Sequence, residues 1–218
     1  SNEPEKIFHR DEQIETLSRI LAPVLKKDKP SNIFIYGLTG TGKTLVTRYV
    51  TRQLSRVAER YTVPLKVLEV NCKMKKVADT EYRLLAYLCS LLGKDVPATG
   101  LPTDEVYKTF FSLVENCKSH IILVLDEIDA LVKKVGDELL YNLTRMSSNS
   151  IGGEITIIGI SNDLSFMDWL DARVRSSLSE EEIIFPPYNA NQLRDILEER
   201  AKIAFNPGKI DEAAISKC

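Results

Sequence analysis

Residues Gly37-Leu38-Thr39-Gly40-Thr41-Gly42-Lys43-Thr44 combine three glycines, a lysine and hydroxyl groups within eight positions. The spacing is that of a phosphate-binding P-loop, G-x-x-x-x-G-K-[ST]. Glycines let the backbone curl so that successive N–H groups converge on phosphate oxygens. A helix starting there adds partial positive charge. Lys43 can then reach the β- and γ-phosphates, and the Thr44 hydroxyl can ligate Mg²⁺. With Leu45, residues Gly37, Thr39, Gly40, Thr41, Gly42, Lys43 and Thr44 form the expected ATP or ADP cradle.

A second chemical element closes the run Leu123-Val124-Leu125-Asp126-Glu127-Ile128-Asp129. Two adjacent carboxylates at the tip of an apolar strand repel each other unless a cation or protons compensate. Asp126 is therefore expected beside Mg²⁺, and Glu127 is expected to orient and polarise an attacking water. An acidic cluster at a helix N-terminus is the competing explanation; Asp129 fits that role and is not counted as catalytic. A third strand tip, Ile157-Ile158-Gly159-Ile160-Ser161-Asn162-Asp163, offers Asn162 to a γ-phosphate or its water. Arg173 and Arg175 lie just before the last strand. Either could neutralise transition-state charge at a neighbouring subunit's site; surface ion pairing explains them equally well.

These residues need rigid supports, and the hydrophobic pattern supplies them. Apolar runs at Ile33–Tyr36, Leu65–Val70, His120–Leu125, Glu154–Ile160 and Ile183–Phe185 read as strands. Helical spacing covers 10–27, shortened or kinked at Pro23, then the segment after Lys43, 80–92, 103–117, the stretch to about 147, and 189–204, ended by Asn206-Pro207-Gly208. Unbroken apolar strands alternating with helices indicate an α/β fold, a parallel sheet covered on both faces. The domain boundary falls at Pro186-Pro187, where the strand pattern gives way to a helical one.

Composition narrows the class. The 218 residues are 44% hydrophobic and 28% charged, with a net charge of −2, as in an ordinary globular protein. Its apolar runs are too short to span a bilayer, and the charged N-terminus lacks a signal-peptide core, so a cytoplasmic location is expected. Cys72, Cys89, Cys117 and Cys218 lack paired C-x-x-C spacing, and His9 and His120 lie far apart, which favours reduced structural thiols over a metal site.

Five segments carry a narrower likeness: NIFIYGLTGTGKT (32–44), VLDEIDAL (124–131), IIGISND (157–163), LDARVRSSL (170–178) and FPPYNANQLRDILEER (185–200). In this order they resemble the archaeal origin-recognition initiators, AAA+ ATPases related to the eukaryotic origin recognition complex. The P-loop and acidic pair are common to many ATPases; the last three boxes are more restricted. The resemblance implies a five-stranded AAA+ core over 1–186 and the start of a helical lid over 187–218. The sensor 2 arginine and the DNA-reading winged-helix domain would follow Cys218. It makes Asn162 the sensor 1 residue and puts Tyr188, Ile196 and the Ile7–Arg10 segment near the adenine. In eukaryotic relatives the finger arginine follows a serine, a position held here by Ser177, so Arg173 and Arg175 compete for that role.

The implied function is an ATP/ADP switch that recognises origin double-stranded DNA and helps load the replicative helicase, with slow hydrolysis and possible self-association through the finger face. Residues 72–105 would form an initiator-specific insertion, where Lys73, Lys75, Lys76 and Arg83 could meet DNA phosphates. A solvated basic face accounts for the same run. Another AAA+ machine such as a clamp loader, or a P-loop kinase acting on a metabolite, remains a competing assignment.

Overall fold

The computed structural model describes residues 7–97, 99–146, 154–163 and 165–204. Cys218 and the expected stop at residues 206–208 lie outside them. Five strands form one parallel sheet in the order β2-β3-β4-β1-β5. They are β1 (Ile33–Tyr36), β2 (Leu65–Asn71), β3 (His120–Asp126), β4 (Ile155–Ser161) and β5 (Glu181–Ile184). Helices α1 (Asp11–Leu21) and α2 (Lys43–Arg60) precede β2, and α3 (Glu81–Leu91) and α4 (Thr103–Cys117) precede β3. Next come α5 (Ile128–Val135) and α6 (Glu138–Met146), then α7 (Ala172–Leu178) before β5 and α8 (Ala190–Ala204) after it.

The central strands are apolar throughout because each face enters a different core. Ile121, Leu123 and Leu125 join Phe34, Leu85, Phe110 and Leu140 on one side. Ile122 and Val124 join Ile33, Ile35, Leu17 and Val50 on the other. The edge strands depart from the expected two-sided burial. Glu181, Glu182 and Ile184 of β5 are exposed, and Lys66 of β2 reaches solvent. A parallel edge strand has one covered flank, so polar residues are tolerated there. Helix 10–27 ends early: α1 stops at Leu21 and Ala22–Lys26 continues as a 3₁₀ turn, since Pro23 cannot donate to the helical ladder.

Helix α7 was not apparent from the sequence, being two turns long; Asp171 caps it by accepting from the Arg173 amide at 2.8 Å. Asn32, at 2% exposure, ties this region to the sheet. Its Nδ2 donates to the Ser177 carbonyl and its Oδ1 accepts from the Ile157 amide, both at 2.8 Å. Asn32→Ala leaves a buried donor and acceptor unpaired, which costs about 2–4 kcal/mol, measurable by denaturant unfolding.

Parallel register brings the chemistry to one rim. Tyr36 aligns with Ser161 and Asp126 with Ile160, so the carboxyl ends of β1, β3 and β4 terminate together. That is the edge at which open α/β sheets bind ligands.

Candidate nucleotide site

The loop from β1 to α2 curls as its glycines permit. Gly40 and Gly42 have φ of +82° and +89°, a left-handed conformation costly for other residues. Gly37 is required for a different reason: a Cβ there would lie 2.4 Å from the Phe185 carbonyl oxygen. Leu38, Thr39 and Gly40 are exposed at the loop's mouth, and Leu45 is half-buried in the first turn of α2. Lys43, 5% exposed, turns its ammonium into the curl and donates to the carbonyls of Gly37 (2.7 Å) and Leu38 (2.8 Å). Burial lowers its pKa, and the Asp126 carboxylate opposes that shift.

The Thr44 hydroxyl donates to Asp126 Oδ2 at 2.9 Å. Asp126 is 6% exposed, and burial raises its pKa, with the Glu127 and Glu69 charges acting in the same direction. A hydroxyl and a carboxylate in contact, both hard oxygen donors beside a phosphate cradle, suit Mg²⁺. The residues therefore fit a magnesium nucleotide.

Glu127 takes a left-handed backbone, φ 57°, where β3 turns into α5. Its Oε1 accepts from Lys73 Nζ at 2.7 Å and from Asn162 Nδ2 at 3.5 Å. The Glu127 contact raises the Lys73 pKa. Asp129, expected as a helix-end charge, is 8% exposed and accepts from the Ser161 hydroxyl at 3.0 Å, tying the turn after β3 to the tip of β4.

Arg10 closes the other side. It is 2% exposed, donates to the Thr41 carbonyl (2.9 Å) and the Pro186 carbonyl (2.6 Å), and lies 3.9 Å from the Tyr188 ring centroid. A Cβ on Gly42 would meet the Tyr188 hydroxyl at 2.9 Å, so Tyr188 lies over the P-loop. Neighbouring His9 contacts Asp195 of α8 at 2.9 Å. The segment before α1 thus joins the β1–α2 loop to α8. The resemblance pointed to this segment; no spacing rule revealed that Arg10 would be its anchor.

Among the predicted residues, Arg10, Thr41, Lys43, Thr44, Asp126, Glu127, Asn162 and Tyr188 converge. Ile196 is half-buried on α8, one residue from Asp195. Arg173 and Arg175 stand apart. Arg173 pairs with Asp171 at 3.0 Å and lies 4.8 Å from the Tyr141 ring, while Arg175 is 3.6 Å from Asp168. None of these partners belongs to the P-loop or the acidic pair. The basic run also divides. Lys73 joins Glu127, Arg83 pairs with Asp79 at 3.6 Å, and Lys75 and Lys76 are exposed on the intervening turn. Cys72 is buried, and its thiol is pushed up to about 12 by that burial, which makes it an inert core group. No helix among the described residues is long and apolar enough to cross a membrane.

Residues 26–167 match the model of the AAA domain family. The ORC1-type DNA replication protein of Pyrococcus furiosus is 52% identical over 99% of this chain and 51% of its own length. The structure of the Aeropyrum pernix ORC1 protein in complex with DNA superposes with a TM-score of 0.88 at 41% identity, over 98% of this chain and 56% of that one. The Aeropyrum pernix ORC2 protein in its ADPNP–ADP complexes, 21% identical with a TM-score of 0.80 over 98% of this chain and 57% of that one, shares the fold. The chain spans about half the length of the curated relatives it matches. The rim chemistry, the five-stranded sheet and these likenesses agree: the chain belongs to the AAA domain family and resembles the archaeal ORC1-type DNA replication proteins.

Proposed function

We propose that this chain is the ATP-binding core of a replication initiator, in which nucleotide state governs lid position and subunit contacts. The observation that carries the reading is the convergence of Lys43, Thr44, Asp126, Glu127 and Asn162 on one sheet rim. Bound Mg·ATP supplies the phosphoanhydride whose cleavage removes the γ-phosphate charge. The residues divide the remaining work. Loop amides and Lys43 hold phosphate oxygens, and Thr44 and Asp126 hold Mg²⁺. A Glu127 carboxylate oxygen orients the water and takes its proton. Asn162 positions that water or senses the γ-phosphate.

Glu127 cannot act freely while Lys73 binds it at 2.7 Å. A carboxylate occupied by an ammonium is less available to orient a water, so hydrolysis would be slow until that contact opens. Lys73→Ala releases Glu127, and turnover in a protein spanning the full length of the relatives rises by roughly threefold to tenfold. A phosphate-release assay reads this directly, and unchanged or lower turnover removes Lys73 from that role.

The domain division follows the same logic: a core over 1–186, with 72–105 inserted before β3, and the lid from 187. Tyr188, Ile196 and Arg10 would flank the base. A γ-phosphate bound between core and lid makes differential contacts in the two states, as a ligand switch requires. Origin duplex DNA, the replicative helicase and further copies of the chain are the proposed partners, with Arg173 or Arg175 presented to a neighbour's nucleotide. Lys75, Lys76 and Arg83 are the remaining candidates for phosphate contacts on DNA. The setting is cytoplasmic, at the nucleoid. The DNA-bound relative favours this assignment over a clamp loader. Footprinting of the longer protein on its own origin tests it: protection of a discrete sequence supports the initiator reading, and indiscriminate binding opposes it.

A further inference from the structure

Helix α5 carries two charged groups that the proposed hydrolysis leaves without a task, Asp129 and Lys133, one turn apart. Asp129 is 8% exposed, a rare setting for a carboxylate, and its Oδ1 accepts from the Ser161 hydroxyl at 3.0 Å. Lys133 Nζ lies 4.0 Å from the other Asp129 oxygen and 3.3 Å from Asp163 Oδ2. Ser161 is fully buried at the tip of β4. These contacts grip the residues immediately before and after Asn162.

Proton accounting gives the bond between Ser161 and Asp129 its direction. The Ser161 oxygen accepts from the Asp163 amide at 3.0 Å, and its single proton is left to donate. Two acceptors compete for it, Asp129 Oδ1 at 3.0 Å and the Asp163 carbonyl at 3.2 Å. A bond to the carbonyl stays inside the turn. A bond to Asp129 crosses to α5, and a carboxylate is the stronger acceptor. Gly159 allows the close approach this needs: a Cβ there would lie 3.0 Å from Ile128 Cδ1, in the first turn of α5.

Glu127 caps the same helix, and its Oε1 is 3.5 Å from Asn162 Nδ2. The water-orienting carboxylate and the anchors of Asn162 therefore belong to one element. We infer that Asp129 is a positioning residue for hydrolysis, holding Asn162 through the Ser161 hydroxyl at a distance from Glu127 where both reach one water. The inference rests on the roles proposed above for Glu127 and Asn162. Lys133 steadies the far side of the turn through Asp163; half-exposed, it contributes less. Were Asp129 only a structural charge, its loss would lower stability and leave turnover of the folded protein alone.

The test compares Asp129→Ala, Asp129→Asn and Ser161→Ala. Asp129→Ala leaves the Ser161 hydroxyl the Asp163 carbonyl as acceptor, so no buried donor is orphaned and the fold should survive. Ser161→Ala is a second route to the same lost bond. In a protein spanning the full length of the ORC1-type relatives, each should lower kcat by about tenfold to 10²-fold, the scale of an ångström misplacement. ATP affinity should stay within about twofold of the wild type. Asp129→Asn still offers an oxygen to the hydroxyl and should recover turnover to within about threefold. Neither alanine change should add to Asn162→Ala, since all act through one amide.

A second readout needs no turnover. In the nucleotide-free 218-residue chain, a nuclear Overhauser contact between the Asn162 side-chain amide and the Glu127 methylenes is expected. It should persist in Asp129→Asn and weaken severalfold in Asp129→Ala and Ser161→Ala. An unchanged contact in both alanine variants overturns the inference. So does an equal loss of turnover in Asp129→Asn and Asp129→Ala, which assigns the effect to charge rather than to the bond, or a loss that adds fully to Asn162→Ala. A wild-type protein without turnover is a failure of the hydrolytic reading instead, and the amide contact still decides whether Asp129 holds Asn162.

Discussion

Lys43→Ala is expected to lower the affinity for ATP by about 10²–10³-fold while leaving the fold intact. Lys43 Nζ lies inside the loop, within 2.8 Å of two carbonyls, so the ammonium is already placed where phosphate oxygens converge. Removing one partner of a buried, hydrogen-bonded charge pair costs about 2–5 kcal/mol, and each 1.4 kcal/mol is roughly tenfold in affinity. The fold should survive because this lysine bonds its own loop rather than the core. It is held there against burial, which lowers its pKa. Calorimetric affinity equal to the wild type would show that the loop does not grip the phosphates.

Glu127→Gln is expected to keep nucleotide binding near the wild-type level and to lower hydrolysis by about 10²–10⁴-fold, the usual contribution of a positioned general base. Glutamine keeps the shape and can still contact Lys73 and Asn162, yet it cannot take a proton. The measurement belongs in a protein spanning the full length of the ORC1-type relatives. Binding there separates a lost base from a damaged site, and normal turnover would transfer the role to another group. The neighbouring Asp126 is a poorer candidate for that base, since it is engaged by the Thr44 hydroxyl at 2.9 Å and sits on the expected metal.

Much of this architecture could be read from residue order, for identifiable reasons. The runs at 33–36, 120–125 and 154–160 announce buried strands because both of their faces enter cores. The P-loop is equally plain, since a backbone curl needs glycine at particular positions whatever surrounds it. Edge strands were less legible: β5 keeps one inward side chain of four, Ile183, and its glutamates reflect an open flank. Helix α7 is too short to establish a period.

The contact between Lys73 and Glu127 had no linear signal at all. It arises from register, because Asn71 aligns with Asp126 and the Cys72 amide bonds the Asp126 carbonyl, which carries the following residues of both strands together. The resemblance, together with its charge, made Lys73 one of four basic residues for DNA; geometry gives it a carboxylate partner, Glu127. The arginines of α7 illustrate the reverse. Their motif suggested a finger, and the structure supplies each with an aspartate of its own chain, so a neighbouring subunit would have to compete for them.

Titration calorimetry of ATP into the 218-residue chain, with and without Mg²⁺, reads whether the loop between β1 and α2 grips a magnesium nucleotide. Saturable binding at one site is expected, tighter with Mg²⁺ because Thr44 and Asp126 then hold the metal, and weakened about 10²–10³-fold by Lys43→Ala. Absence of any heat of binding under both conditions, or binding indifferent to Mg²⁺ and to Lys43, would contradict this expectation.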